Sequence, residues 1–333
     1  MPALVFDVAT FVAGVLVLIF GGDVMVRGAV RLAQRLGVSA LIIGLTVVAF
    51  GTSAPELALN VIAANNGNAR LSFGNVVGSN IANIGLILGL IALFKPLSVG
   101  VGVIRRELPI MVLATLAMAG LVIHEKQLDS LDGIALLVGF VMFTLGVLNQ
   151  ARRDREKAQE FEEEVKEIAG EEDGSLLVAV ALFVVGLVML LGGGWLAERG
   201  AVQIAVGLGM DQEIIGLTVV ALATSLPELA ASAMAVRRGH SDIAVGNIVG
   251  SNIFNLLLVF GATAGITAVP LPPETGLVSL GVLGFLTVIM VPVCLTSGRQ
   301  VSRIEAAVLL VSYVGYIGWL VWQALDSRQT VGI

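Results

Sequence analysis

Charge is what this sequence has least of. Only 13% of its 333 residues are Asp, Glu, Lys or Arg, against about 25% in an ordinary soluble domain. The charges lie between long apolar runs, 57% of the residues are hydrophobic, and the mean hydropathy is +0.96. A soluble globular domain is therefore excluded. Cysteine is nearly absent as well. Cys294 stands alone in an apolar run, which rules out a disulfide framework within the chain and reads as a small buried hydrophobe. No Cys or His stands at metal-ligand spacing, and His124 and His240 fall in or beside loops. A basic patch for nucleic acid is missing, and the net charge of −6 is spread over loops. Neither a His/Asp pair nor an HExxH motif is present, so no enzyme, and no resident cofactor, is expected.

What is there is apolar length. Ten spans can be drawn, at roughly 8–33, 39–65, 71–94, 104–123, 130–150, 175–201, 211–236, 243–266, 276–297 and 303–325. Continuous runs of this length read as membrane-crossing helices, because a helix satisfies its own backbone in lipid. A β-barrel would alternate over segments of about ten residues. The expected class is an all-α polytopic membrane protein. The N-terminus lacks a positive n-region and a clear cleavage site, and is read as a retained first helix. The stretch 151–174 is the sizeable hydrophilic segment. It lacks the spaced Asp/Asn-Gly loop of an EF-hand and reads as a solvated amphipathic helix or linker.

Basic residues orient the spans. With the N-terminus outside, all but four of the 19 Lys and Arg residues fall at inside ends and loops. The four left outside are Arg70, Lys126, Arg199 and Arg328. Both termini are thus expected outside, with 151–174 cytoplasmic.

The chain also repeats itself. Shifted by 172 residues, Ile42–Gly89 lies over Ile214–Gly261 without a gap, with 26 of 48 positions identical. This divides the chain into a first five-helix repeat (1–150, motif spans 39–65 and 71–94), the loop 151–174, and a second repeat (175–333, motif spans 211–236 and 243–266). Five is odd, so the second copy enters from the opposite side, an inverted repeat of the kind secondary transporters use. In that architecture the substrate site lies near the midplane, where the two copies meet.

The two copies carry polar motifs in mid-span. "GTSAPEL" (51–57) recurs as "ATSLPEL" (223–229), and "GNVVGSNIAN" (74–83) as "GNIVGSNIFN" (246–255). Glu56 and Glu228 are equivalent. A charge in mid-membrane costs roughly 3 kcal/mol or more, and no Lys or Arg lies in a span interior at these depths. Two such carboxylates want protons or metal ions. Pro55 and Pro227 break the i→i−4 ladder, so carbonyls near Ala49–Thr52 and Ala221–Thr224 are expected to be freed as ligands. Thr52, Ser53, Thr224 and Ser225 add hydroxyls. Asn75, Ser79 and Asn83 form one polar stripe at four-residue spacing, and Asn247, Ser251 and Asn255 another. All are hard oxygen donors, which suit Ca²⁺, Mg²⁺, Mn²⁺ or Na⁺ over zinc or copper.

At these motifs the chain resembles the α-repeats of the Ca²⁺/cation antiporter superfamily, the prokaryotic sodium/calcium exchangers in particular. The resemblance implies electrogenic exchange of Na⁺ for Ca²⁺ in a prokaryotic plasma membrane, with those ions and the bilayer as partners and no protein partner evident. It implies Glu56 and Glu228 as ligands shared by both ions, joined by the Thr52 and Thr224 carbonyls. Ser53, Ser79, Ser225 and Ser251 with the Ala49 and Ala221 carbonyls would shape flanking Na⁺ sites. Asn83 and Asn255 would line the centre; family members often carry Asp at one of these, and both are Asn here. Spans one and six would rock or slide against a core of spans two, three, seven and eight. An H⁺- or K⁺-coupled divalent-cation antiporter is the alternative, and a channel with a glutamate ring a rival of another class.

Overall fold

A computed structural model describes residues 2–165, 175–210, 215, 219 and 221–331. Helices dominate. The first repeat comprises α1 (Pro2–Leu36), α2 (Ala40–Ile43), α3 (Ala49–Thr52), α4 (Ala54–Asn65), α5 (Ala69–Ile81), α6 (Gly89–Phe94), α7 (Leu108–Glu125) and α8 (Ser130–Val165). The second comprises α9 (Leu176–Gly207), α10 (Ala221–Thr224), α11 (Leu226–Arg237), α12 (Ser241–Phe254), α13 (Phe260–Ile266), α14 (Gly276–Leu295) and α15 (Arg303–Val331). Wider π-helical turns join α2 to α3 (Gly44–Val48), α5 to α6 (Ala82–Leu88) and α12 to α13 (Asn255–Val259), and another (Val103–Glu107) leads into α7. Among the described residues, eight helical stretches are long and apolar enough to cross a membrane, nine if the bent pair Ala40–Thr52 and Ala54–Asn65 counts as one.

The helical class is as expected, and two short strand pairs join its loops: β1 (Leu97–Ser98) pairs antiparallel with β4 (Gln300–Val301) and β2 (Gln127–Leu128) with β3 (Val269–Pro270). Each is two residues long and clips a loop of one repeat to a loop of the other. The apolar fifth span ends close to residue 150, at Asp154, while its helix α8 runs on to Val165, because the Arg, Glu, Lys and Gln that follow are strong helix formers. The rest of the hydrophilic segment, 166–174, lies outside the described residues, as does most of the repeated block 214–220. The second span is not one kinked helix. It breaks at Ser53 and bends by 41°.

The packing centre of the first and sixth spans is a seam without side chains. An added Cβ on Gly14 would lie 2.3 Å from the Ala197 backbone nitrogen, and one on Gly186 2.2 Å from that of Met25. Gly28 meets Phe183 and Gly200 meets Phe11 in the same way, at 2.3 and 2.5 Å. The partner numbers fall in one helix as they rise in the other, so α1 and α9 run antiparallel. The contacts also exchange under the 172-residue shift: Gly14 becomes Gly186 and Met25 becomes Ala197. The seam thus has an approximate twofold axis across it. Small residues let helix backbones approach this closely where lipid gives no hydrophobic drive to association.

Side chains then close α1 and α9 over the motif helices. Gly22 faces the Ala230 carbonyl and Met234 of α11, Gly194 faces Pro227, and Gly51 faces Leu187. Asp23 on α1 forms ion pairs with Arg27 and with Arg238 at the end of α11. Partly exposed pairs of this sort contribute about 0–1 kcal/mol, so packing, not charge, holds α1 to the rest.

The seam makes a sharp mutational contrast. Gly186→Val drives a branched side chain into the Met25 backbone and should lower the melting temperature in detergent by many degrees or abolish folding, since overpacking costs at least about 1–3 kcal/mol. Gly192→Ala, where an added Cβ meets nothing within 4 Å, should melt like the parent chain.

Candidate cation site

The motif helices explain their own sequence. Ser53 (φ −86°, ψ 2°) and Ser225 (φ −89°, ψ 0°) leave helical geometry at equivalent places, and α4 and α11 restart just after them. Pro55 and Pro227 therefore sit in the first turn of a new helix, where a missing N–H costs nothing. The same restart puts Glu56 and Glu228 in a first turn, where the free N–H groups and the helix dipole favour negative charge. The proline in this motif starts a helix under the glutamate.

Both carboxylates are deeply buried, Glu56 at 2% exposure and Glu228 at 1%. Among the described residues no Lys or Arg pairs with either; the ion pairs found there belong to Asp23. Neither oxygen of Glu228 receives a hydrogen bond, nor does Oε2 of Glu56. The hydroxyls of Ser53, Ser225 and Ser251 and the side-chain oxygens of Asn83 and Asn255 are likewise buried without a partner. Leaving a buried polar atom unpaired costs about 1–3 kcal/mol each, more for a charge. These unpartnered oxygens, together with the two carboxylates, are all hard donors of the kind that suit a hard cation.

The expected residues fall as follows. Thr52 ends α3 and Ser53 occupies the break, with Thr224 and Ser225 in the same positions of the second repeat. Ser79 on α5 and Ser251 on α12 are buried. Asn83 lies in the π-helical turn after α5, and Asn255 opens the turn after α12; wide turns of this kind recur at functional sites. Ala49 opens α3 and Ala221 opens α10; the Ala221 side chain lies outside the described residues. The Ala49 carbonyl is not set free. It accepts the Ser53 N–H at 3.0 Å, because the helix continues through Ser53 N before it breaks.

Two hydrogen bonds join the repeats directly. The Thr52 hydroxyl donates to Asn247 Oδ1 at 3.1 Å, and Asn255 Nδ2 donates to Asn80 Oδ1 at 3.4 Å. The second, third and eighth spans are thereby brought to one place. The sequence reading missed Asn80 and Asn252, both buried, and undervalued Asn60. The latter donates to the Glu56 carbonyl and to Asn75 Oδ1, each at 2.7 Å. The signal was available: each of these asparagines lies within or one turn beyond a duplicated motif. In a cluster of three carboxylates elsewhere, Glu125, Asp129 and Asp132, Asp129 caps α8, its Oδ1 accepting the Leu131 and Asp132 N–H groups.

With this geometry in hand, likeness to known proteins can be stated. The sodium/calcium exchanger protein family matches residues 6–149 and 178–322, one stretch for each repeat. This chain belongs to that family. It is an integral membrane protein and a cation antiporter of the Ca²⁺ type, a transporter family and not an enzyme family. The inner membrane protein YrbG of Escherichia coli (strain K12) is 35% identical over 319 residues, covering 95% of each chain. The sodium/calcium exchanger MaX1 of Methanosarcina acetivorans is 28% identical over 331 residues, covering 90% of this chain and 94% of its own. Among solved structures, the sodium-calcium exchanger NCX_Mj soaked with Na⁺ and Sr²⁺ superposes with a TM-score of 0.79 at 28% identity, over 95% of this chain and 99% of its own.

The unpaired carboxylates yield a stability test. Replacing Glu56 and Glu228 together by Gln removes two buried carboxyl groups that no basic side chain pairs among the described residues, so the cation-free double variant should melt at or above the parent's temperature. The parent should gain several degrees on adding Ca²⁺, because a ligand at 100 times its dissociation constant stabilises by about 2.7 kcal/mol; the double variant should gain nothing. Both are read by thermal denaturation in detergent.

Proposed function

We propose that this chain exchanges Na⁺ for Ca²⁺ across a prokaryotic plasma membrane by alternating access, with the ions bound between two inverted repeats of five helices. The observation that carries the reading is the buried pair Glu56 and Glu228, supplied by equivalent helix starts and surrounded by donors that are all oxygen. One Ca²⁺ neutralises such a pair. Two or more Na⁺ ions do the same, so the two ions compete for one negative site. That competition is the chemical basis of exchange. Thr52, Thr224, Ser53, Ser225, Ser79, Ser251, Asn83, Asn255 and the Ala49 and Ala221 carbonyls complete the proposed ligand set, the last two through lone pairs left over from their helices.

Ten crossings are supported by the strand clips. Gln127–Leu128 lies beside Val269–Pro270, so an even number of crossings separates them. α8, α9 and the α12–α13 stretch make three, so the even count calls for one more, on the side of α10 and α11. The antiparallel seam of α1 and α9, with its exchange of contacts under the repeat shift, supports inversion. Alternating access has a natural vehicle there. The two helices grip one another backbone to backbone and meet the motif helices through small side chains, so the pair can slide as one body. Basic residues support an outside location for both termini and a cytoplasmic one for 151–174.

Vesicles loaded with Na⁺ should take up ⁴⁵Ca²⁺ when the gradient points outward, and either Glu56→Gln or Glu228→Gln should reduce the initial rate by at least about a hundredfold, since each removes a charge from the site. Uptake driven by a pH or K⁺ gradient without Na⁺ would overturn Na⁺ coupling in favour of the proton- or potassium-coupled reading. On a Cys294→Ser background, Ala169→Cys should react with impermeant maleimide only from the cytoplasmic side.

A further inference from the structure

Where α1 meets the end of α11, the surface carries a groove of about 350 Å³ that is separate from the cation site. Its two ends differ in chemistry. At one end lie Ile19 and Phe20, large apolar side chains left 41% and 61% exposed. One turn further along α1 come Asp23 and then Arg27, and across the groove α11 ends at Arg237 and Arg238. Apolar side chains giving way to arginines is the order a helix shows as it leaves the hydrocarbon for the headgroup layer. The groove therefore stands at that boundary.

Its positive charge is not used up within the protein. Asp23 is the acidic residue of the groove, and it takes both Arg27 and, at 2.6 Å, Arg238. Three arginines against one aspartate leave two positive charges unmatched. A guanidinium has five N–H donors, and the paired ones remain open to the outside, 51% exposed at Arg27 and 34% at Arg238. Arg237 is exposed and makes no hydrogen bond or ion pair among the described residues. The equivalent positions of the other copy are furnished otherwise. The 172-residue shift puts Asn65 and Asn66 where Arg237 and Arg238 stand, and Trp195 where Asp23 stands. Trp195 lies under the Arg199 guanidinium, 5.4 Å from its ring centroid. The charge of the groove thus belongs to this one meeting of α1 and α11 and is not a by-product of the repeat.

An inorganic anion would satisfy the arginines and leave Ile19 and Phe20 uncovered. A phospholipid covers both. We propose that the groove binds an anionic phospholipid of the adjoining leaflet, the cytoplasmic one in the proposed orientation. Its phosphate rests on Arg237 with Arg27 and Arg238, and an acyl chain lies along Ile19 and Phe20. Basic pockets between membrane helices hold anionic headgroups in this way. Because α1 and α11 each supply a wall, the lipid touches both the helix pair proposed to slide and the core it slides on. Neither the binding nor its test depends on which cations are exchanged.

The test counts lipids retained by the purified full chain in native mass spectrometry, with dioleoylphosphatidylglycerol as the probe and dioleoylphosphatidylcholine as the zwitterionic control. The parent should retain phosphatidylglycerol in preference to phosphatidylcholine. Arg237→Gln breaks no contact within the protein and should lower that retention by about fivefold or more, the worth of one basic residue at an anionic surface. Arg106→Gln removes an arginine that does not line the groove and should leave retention unchanged. Phe20→Ser should lower it, and millimolar inorganic phosphate should not displace the lipid; both separate a lipid site from a site for a free anion. Matching melting temperatures keep a folding defect apart from a binding defect. Equal losses in Arg237→Gln and Arg106→Gln, or retention indifferent to headgroup charge, would overturn the proposal. So would retention that appears only after Glu162, Glu163 and Glu164 are replaced by Gln, since the acidic segment of the chain itself would then be the occupant.

Discussion

Two carboxylates buried in an apolar helix bundle without a basic partner are the constraint around which this molecule is arranged. An isolated charge in such surroundings costs several kcal/mol even after relaxation. Its neighbourhood therefore has to supply what a protein cation would have supplied. Each glutamate stands in the first turn of a helix that begins where the preceding one stopped, so N–H dipoles meet it from its own backbone. Around the pair are serine, threonine and asparagine oxygens, many without a donor of their own. Such an arrangement is poorly compensated by protein alone and well matched to a hard cation. The same frustration in the cation-free bundle is what a cation at the proposed site would relieve.

The second organising feature is an approximate symmetry, and its departures matter as much as its presence. The seam between α1 and α9 exchanges contacts across the twofold axis, and the four short strands clip each repeat to the other. The side chains beneath the glutamates are not all alike. Asn60 in the first copy has Ser232 as its counterpart in the second; Asn60 donates to the Glu56 carbonyl, and Ser232 accepts from Asn247. Two copies of a motif can hold equivalent charges on different side chains.

Flat glycine seams and interlocked polar networks do different mechanical work. A seam of backbone against backbone has no side chain to unlock, and the ion pairs of Asp23 add little. The motif helices, by contrast, are tied to each other through Thr52 with Asn247 and Asn80 with Asn255. In the proposed cycle the first kind of contact belongs to the sliding pair and the second to the fixed core.

Much of this was legible in order of residues alone. Apolar length specified helices and the 172-residue shift specified two copies of the motifs, because both depend on local residue order; an odd span count made inversion the expectation. Glu56 and Glu228 stood out because a charge in mid-span has no bland explanation. What the order of residues could not reveal depended on which backbone atoms find partners in space. Pro55 looked like a kink that releases the Ala49 carbonyl; the fold makes it the start of a new helix and keeps that carbonyl bonded. Asn60 lies outside the duplicated motif, one turn beyond Glu56, and holds the glutamate's own carbonyl. Asn247 looked like one more member of a stripe; the fold places it against Thr52 of the other repeat, a meeting of residues 195 positions apart. The sequence by itself determined the chemistry available, an all-oxygen set with two negative charges in an apolar chain. Tertiary structure alone decided which of those oxygens are spent on one another and which are left over, because hydrogen bonds between distant helices exhaust some lone pairs and leave the rest.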